Sequence, residues 1–188
     1  MNSAPRKRRD ENGPRERVDR DTASEHAKPS PRNAAMDLLA RREHSRLELR
    51  RKLERRFTAD GLDRALEQLA EEGLQCDVRF AESFTRERLL KAYGPRRVRA
   101  ELQQRGVAAD VIDDALKSVP ISEGVSWSGQ AREALRRRFG DAGKSRIDDA
   151  EAAEGASVAK EKARRLRYLY QRGFSADDYA DVVSDDEY

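Results

Sequence analysis

The chain has 188 residues, of which 40% are charged and 6% aromatic, and its formal net charge is +3. So few aromatic side chains favour several small helical units over one large core, and no apolar run approaches the ~20 residues that a membrane helix needs. The single cysteine excludes an intrachain disulfide. We therefore expect a cytoplasmic protein without a membrane span.

Residues 1–32 are predicted to form a disordered, polar and weakly basic tail. The first 31 residues hold four of the six prolines, eight basic and six acidic residues, and almost no large apolar side chain. Such a stretch cannot bury enough apolar surface to offset the conformational entropy lost on folding. Its charge is compatible with loose attraction to nucleic acid, but a solvated leader is the simpler interpretation.

From residue 33 onward, apolar residues recur at helical spacing and strand-like alternation is absent. The same arrangement occurs three times. It predicts an all-α protein of three tandem three-helix repeats in an elongated, curved array. The equivalent positions are Leu53, Leu102 and Leu169; Phe57, Val107 and Phe174; Leu62, Ile112 and Tyr179; and Leu66, Leu116 and Val183.

The predicted organisation follows from the breaks between these helices. Repeats of about 45 residues have little core of their own, so neighbouring repeats must share their stability. Ser45 followed by Glu48 is a capping box before the second helix of the first repeat. The predicted boundaries are 33–76 for the first repeat, 77–119 for the second, 120–125 for a linker, and 126–184 for the third repeat with an inserted loop at 140–158.

Charge is segregated by helix in every repeat. The second helices are basic, with net charges of +4 over 46–56, +3 over 95–105 and +5 over 160–172. The third helices are acidic, with −4 over 60–72, −2 over 110–118 and −6 over 177–187. A basic band favours phosphate or an acidic groove, whereas an acidic band repels DNA. The pair indicates a protein–nucleic acid assembly as partner; the alternative is that the two bands neutralise each other.

Residue types that carry catalysis or bind metals are scarce. His26, His44 and Cys76 form no metal-ligand pattern, and no nucleophile has a placed base. Residues 140–145 end like a phosphate-binding loop, but Arg138 stands where its first glycine belongs. We expect no enzymatic activity, no cofactor and no metal.

Several segments resemble the RecX family. The second repeat carries an aspartate-led helix with the letters RFA, then YGP, a basic helix and an RGV turn. The resemblance covers about residues 33–183 and is strongest in 77–107. The segments that carry it are Asp77–Phe84, Arg86, Tyr93–Leu102 and Gln104–Val107, with Ser45–Leu53, Trp127–Phe139 and Arg172–Ser175 in the flanking repeats.

The resemblance implies a non-enzymatic regulator of RecA. Members of the family bind the RecA–DNA filament within its groove, and inhibit the recombinase, ATPase and coprotease activities of RecA by blocking filament growth or promoting disassembly. This chain is then expected to act as a monomer in recombination, DNA repair and the SOS response, with the RecA filament and DNA as partners. The alternative is a helical protein that binds duplex or single-stranded DNA directly through its basic band.

The exposed arginines of the second helices are the predicted contacts to phosphate and to the filament groove. Phe80, Phe84, Tyr93 and Trp127 are instead expected in the core, not as platforms for nucleobases. The predicted contact residues are Arg50, Arg51, Arg55, Arg96, Arg97, Arg99, Arg164, Arg165 and Arg167.

Overall fold

The computed structural model describes residues 30–140 and 154–184, and every regular element within them is a helix, which confirms the all-α class. Most of the predicted tail and of the predicted inserted loop lies outside these residues. The helices are α1 Pro31–Leu39, α2 Arg46–Leu53, α3 Ala59–Glu71, α4 Asp77–Leu90, α5 Pro95–Gln103, α6 Ala109–Ser122, α7 Trp127–Phe139, α8 Glu154–Arg172 and α9 Ala176–Ser184.

Helices α1, α2 and α3 pack around a core of leucines. On α3, Leu62, Leu66 and Leu69 follow the spacing that places side chains on one helical face, and all three are buried. Leu49 and Leu53, one turn apart on α2, belong to the same core. Burying one leucine side chain contributes about 1.5–3 kcal/mol, so these five leucines stabilise the packing of the first three helices.

Helices α4, α5 and α6 surround a second core, in which aromatic side chains replace some of the leucines. Phe80 and Phe84 of α4 are buried, with ring centroids 5.8 Å apart. Val98 and Leu102 of α5 and Ile112 of α6 complete the contact. The expected core positions of Phe80 and Phe84 are therefore confirmed.

The third core lies among α7, α8 and α9 and also includes a residue from the preceding unit. Leu169 and Phe174 are fully buried there together with Ala131. Ala92, from the turn after α4, is part of the same core, and Trp127 packs against both the second and the third core. The second and third three-helix units therefore share apolar contacts, as their small size requires.

Helix α6 continues two residues beyond Pro120, so the predicted linker at 120–125 begins inside a helix. Proline has no N–H, which leaves the carbonyl of Leu116 without its usual helical donor. The indole Nε1–H of Trp127 donates to that carbonyl at 3.3 Å. Tertiary packing thus makes a proline tolerable where the sequence indicated a break.

Two other helix ends differ from the predicted boundaries. Helix α1 begins at Pro31, so the last two residues of the stretch 1–32 are helical. A proline suits the first helical position, because that N–H has no partner within a helix. Helix α8 begins at Glu154, inside the stretch 140–158 predicted as an inserted loop, and residues 141–153 lie outside the described residues.

Candidate functional site

The three basic second helices, α2, α5 and α8, are joined in series through the turns that follow α5 and α8, and we call them together the basic band. At the first joint, the turn after α5 packs against the start of α2. The Ser45 hydroxyl accepts from the Glu48 N–H at 3.1 Å and donates to the Arg105 carbonyl at 2.7 Å. Arg105 Nε donates to the Glu48 carboxylate at 3.1 Å. A Cβ on Gly106 would lie 2.8 Å from Leu47 Cδ2, so the contact is close.

At the second joint, the turn after α8 packs against the start of α5. The Gly94 N–H donates to the Arg172 carbonyl at 3.0 Å, and the Arg96 N–H donates to the Gly173 carbonyl at 3.0 Å. A Cβ on Gly94 would lie 2.4 Å from the carbonyl carbon of Gly173. Gly173 has φ +91, and a Cβ there would lie 2.4 Å from Arg97 Cβ. The two backbones touch directly, so the joint requires both glycines.

The two joints are equivalent in the repeat register. Ser45 aligns with Gly94, and Arg105 aligns with Arg172, so each joint sets the carbonyl of an arginine against the start of the preceding second helix. Both guanidinium groups are occupied internally, since Arg105 binds a carboxylate across the first joint and Arg172 Nη1 donates to the Lys91 carbonyl at 3.0 Å. These two arginines hold the band together instead of facing a partner.

Five of the nine predicted contact arginines lie beside carboxylates. Two of these pairs run to the acidic third helices, which therefore neutralise part of the basic band, as the alternative interpretation of the charge pattern required. All five pairs are at least partly exposed, and such pairs contribute about 0–1 kcal/mol each, so a phosphate can replace the carboxylate. The pairs are Arg50–Asp63 at 3.3 Å, Arg97–Glu101 at 2.9 Å, Arg99–Asp113, and Arg164 and Arg165 with Glu161 at 3.6 Å.

The other predicted arginines are more available. Arg51 Nη1 donates to the Gln104 carbonyl at 3.0 Å across the first joint. Arg55, Arg96 and Arg167 are exposed, and in the described part of the chain none of their guanidinium groups has a carboxylate partner. Arg55 lies in the turn after α2, Arg96 in the first turn of α5, and Arg167 on α8. The unpaired cations are thus distributed along the whole band.

A buried histidine directly precedes Ser45 of the first joint. His44, 2% exposed, has Nδ1 3.0 Å from the Arg42 carbonyl and Nε2 3.2 Å from Lys52 Nζ. An ammonium group can only donate, which makes Nε2 the acceptor and assigns the ring proton to Nδ1. Burial lowers the pKa of His44 below 6.5, and the neighbouring cations lower it further. Sequence analysis considered this residue only as a metal ligand.

Tyr170 is a second residue on the band that sequence analysis did not identify. Its side chain is 60% exposed, and the Arg96 guanidinium carbon lies 5.0 Å from the centroid of its ring. The signal that could have found it is the repeat register, in which Tyr170 aligns with Glu54 and Gln103. An aromatic residue occupies a position that is polar in the other two repeats.

Other site chemistries find no support in the described ranges. No group of three or more histidine, cysteine, aspartate or glutamate side chains is placed there to hold a metal ion. Among the same residues, no helix combines the length and the apolar character needed to cross a bilayer.

Two family models match this chain, and they fall on its first two three-helix units. The model for the first three-helix domain of RecX matches residues 32–69, and that for the second matches residues 77–116. The regulatory protein RecX of Ectopseudomonas mendocina (strain ymp) is 46% identical over 147 residues, which cover 78% of this chain and 87% of the relative. The chain belongs to the RecX family.

Other RecX proteins agree with that assignment. The regulatory protein RecX of Halorhodospira halophila is 43% identical over 152 residues, covering 80% of this chain and 84% of the relative. The crystal structure of RecX from Lactobacillus salivarius superposes with a TM-score of 0.58 at 20% identity, covering 82% of this chain and 92% of that one. A second crystal structure of a regulatory protein RecX gives a TM-score of 0.59 at 21% identity. The structures support the shared fold, and the sequence relatives support the family.

Proposed function

We propose that this protein is a cytoplasmic, non-enzymatic regulator that binds RecA–DNA filaments and inhibits the recombinase, ATPase and coprotease activities of RecA. In that role it modulates recombination, DNA repair and the SOS response. Membership of the RecX family gives the regulatory class. The observation that carries the proposal in this chain is the basic band, in which Arg55 after α2, Arg96 of α5 and Arg167 of α8 are exposed and have no carboxylate partner among the described residues.

The acidic third helices favour a filament over DNA alone as the partner. Asp63 and Asp113 lie beside arginines of the band, and both remain partly exposed. Carboxylates so close to the band repel a bare duplex, which weakens binding by phosphate contacts alone. A protein filament supplies basic and acidic surfaces next to phosphate, and therefore matches both kinds of charge.

The direct test is ATP hydrolysis by RecA on single-stranded DNA while this protein is titrated from substoichiometric amounts to excess. We expect the rate to fall at substoichiometric amounts, because one bound regulator affects many filament subunits. An unchanged rate across the whole titration contradicts the proposal.

Charge reversal then tests whether the basic band makes the contact. The double variant Arg55→Glu, Arg167→Glu changes two unpaired arginines of the band, and should require about tenfold or more protein for half-inhibition, since each charged contact contributes about 1.5–3 kcal/mol. The matched control is Arg64→Glu, Lys117→Glu, which reverses two exposed cations on the third helices. Equal losses in both variants would assign the effect to net charge alone.

Direct DNA binding is the second candidate, and the same basic band favours it. That function requires tight binding to DNA without RecA, with an affinity that falls steeply as salt rises. Fluorescence anisotropy with labelled duplex and single-stranded oligonucleotides measures this. Tight binding combined with an unchanged RecA rate would replace the filament regulator by a plain DNA-binding protein.

A further inference from the structure

Tyr170 is an aromatic side chain of α8 that lies outside the apolar core. Its neighbour Leu169 is fully buried, and Tyr168 packs edge-on against Phe139 with ring centroids 5.6 Å apart. Tyr170 remains 60% exposed, although an exposed helix position suits a hydrophilic residue better than an aromatic one. The fold therefore does not explain why an aromatic ring stands at this place on the basic band.

One arginine contacts the Tyr170 ring, and a second lies on the same face of α8. The guanidinium carbon of Arg96, from the first turn of α5, lies 5.0 Å from the ring centroid. Arg167 precedes Tyr170 by three residues on α8, which puts both side chains on one helical face. Neither guanidinium has a carboxylate partner among the described residues, so both retain donors for a phosphate.

We propose that Tyr170 is a stacking site for an unpaired base of single-stranded DNA, with Arg96 and Arg167 contacting the flanking phosphates. The inference rests on the proposed function in taking the basic band as the DNA-facing surface. Every base has an aromatic face that stacks on a tyrosine ring without regard to sequence, and cations beside the ring hold the backbone. A duplex keeps its bases stacked inside, so the site selects single strands over duplex.

The competing role for the same geometry is structural. In that role the contact between Arg96 and Tyr170 only stabilises the packing of α8 against α5, in addition to the backbone hydrogen bonds of the second joint. An exposed cation–π contact contributes little to stability, and two backbone hydrogen bonds already hold the joint. The two roles predict different DNA binding, because base stacking on Tyr170 requires a DNA base and the structural role does not.

The experiment measures anisotropy of a labelled oligothymidylate with the purified full chain and no RecA. We expect Tyr170→Ala to raise the Kd about tenfold and Tyr170→Phe to change it less than about twofold, since phenylalanine still stacks. Leu90→Ala is the matched control, because Leu90 is 74% exposed but lies at the end of α4. That control should bind like the wild type.

An oligonucleotide of the same length without bases separates the two roles. Stacking predicts that wild type and Tyr170→Ala bind the abasic strand equally, and that the salt dependence of binding is the same for both proteins on oligothymidylate. An equal loss on both strands, or no loss on oligothymidylate, overturns the inference. A wild type without effect on RecA hydrolysis would overturn the proposed function instead, whatever the Tyr170 variants show.

Discussion

Burial changes the pKa of His44, and the residues next to it in the sequence do not predict that change. The buried ring contacts the Arg42 carbonyl and the Lys52 ammonium group, and the carboxylate of Glu48 only partly offsets the effect of the cations. Burial without a carboxylate partner favours the neutral ring, which lowers the pKa of His44 below its ordinary value of 6.5. Because the unfolded chain binds the proton more readily, acid must destabilise the folded state through this residue.

We therefore predict a pH dependence of stability that depends on His44. The contribution is fully present above pH 6.5 and is lost as the pH falls from there through the lowered folded pKa. His44→Asn keeps a donor for the Arg42 carbonyl but cannot titrate, so urea unfolding between pH 5 and 7, a range set about the ordinary histidine pKa, should vary less than in the wild type. His26→Asn, in the predicted tail, is the control and should leave the wild-type slope unchanged. A wild-type slope in His44→Asn would show that other groups cause it.

At the scale of a single element, α6 is the clearest case in which packing overrides a local signal. A proline inside a helix removes one backbone donor and normally marks a boundary. Here Trp127 begins the next helix and supplies the missing donor to the Leu116 carbonyl. The element ends two residues after Pro120, where Gly124 at φ +66 lets the chain turn. The length of α6 thus depends on a residue outside it.

A double-mutant cycle tests this dependence. Trp127→Phe leaves the Leu116 carbonyl without a donor and should destabilise the protein by about 1–3 kcal/mol beyond the loss of volume. In a Pro120→Ala background the backbone N–H returns, and the cost of Trp127→Phe should fall by about 1 kcal/mol. The difference is read from thermal or urea unfolding of the four proteins. Strict additivity would show that the indole bond does not compensate for the proline.

At the scale of the whole molecule, the contacts at the two joints determine how consecutive three-helix units are placed. The backbones at Gly94 and Gly173 approach so closely that neither glycine tolerates a Cβ, and two backbone hydrogen bonds cross the second joint, from Gly94 to Arg172 and from Arg96 to Gly173. The first joint uses side chains for the same purpose, through Ser45 and Arg105. Relative placement of the basic helices, and so the continuity of the basic band, depends on these contacts.

Gly94→Ala is predicted to loosen the second joint. The added Cβ would lie 2.4 Å from the Gly173 backbone, which must shift, and such overpacking costs about 1–3 kcal/mol or more. Amide hydrogen exchange should then accelerate in α7–α9 more than in α1–α3. Gly73→Ala is the control, since Gly73 has φ +69 but nothing within 4 Å of an added Cβ. Equal exchange rates in both variants would mean that the joint does not stabilise the third unit.

The sequence by itself determined the helical class, the threefold repeat and the alternation of basic and acidic helices. These features follow from local spacing of leucines such as Leu62, Leu66 and Leu69 and from residue charge, neither of which needs distant contacts. The RecX family also followed from the sequence, because its motifs are contiguous stretches.

Only the tertiary structure decided which arginines are available and how the basic helices meet. Arg50 and Arg99 form ion pairs with carboxylates of the third helices, whereas the guanidinium of Arg96 contacts the ring of Tyr170. Sequence spacing alone does not distinguish these two situations. The physical reason is that ion pairs, ring contacts and glycine joints form between residues far apart in the chain. Local periodicity specifies which face of a helix is buried, but the partner opposite each exposed side chain is fixed by packing.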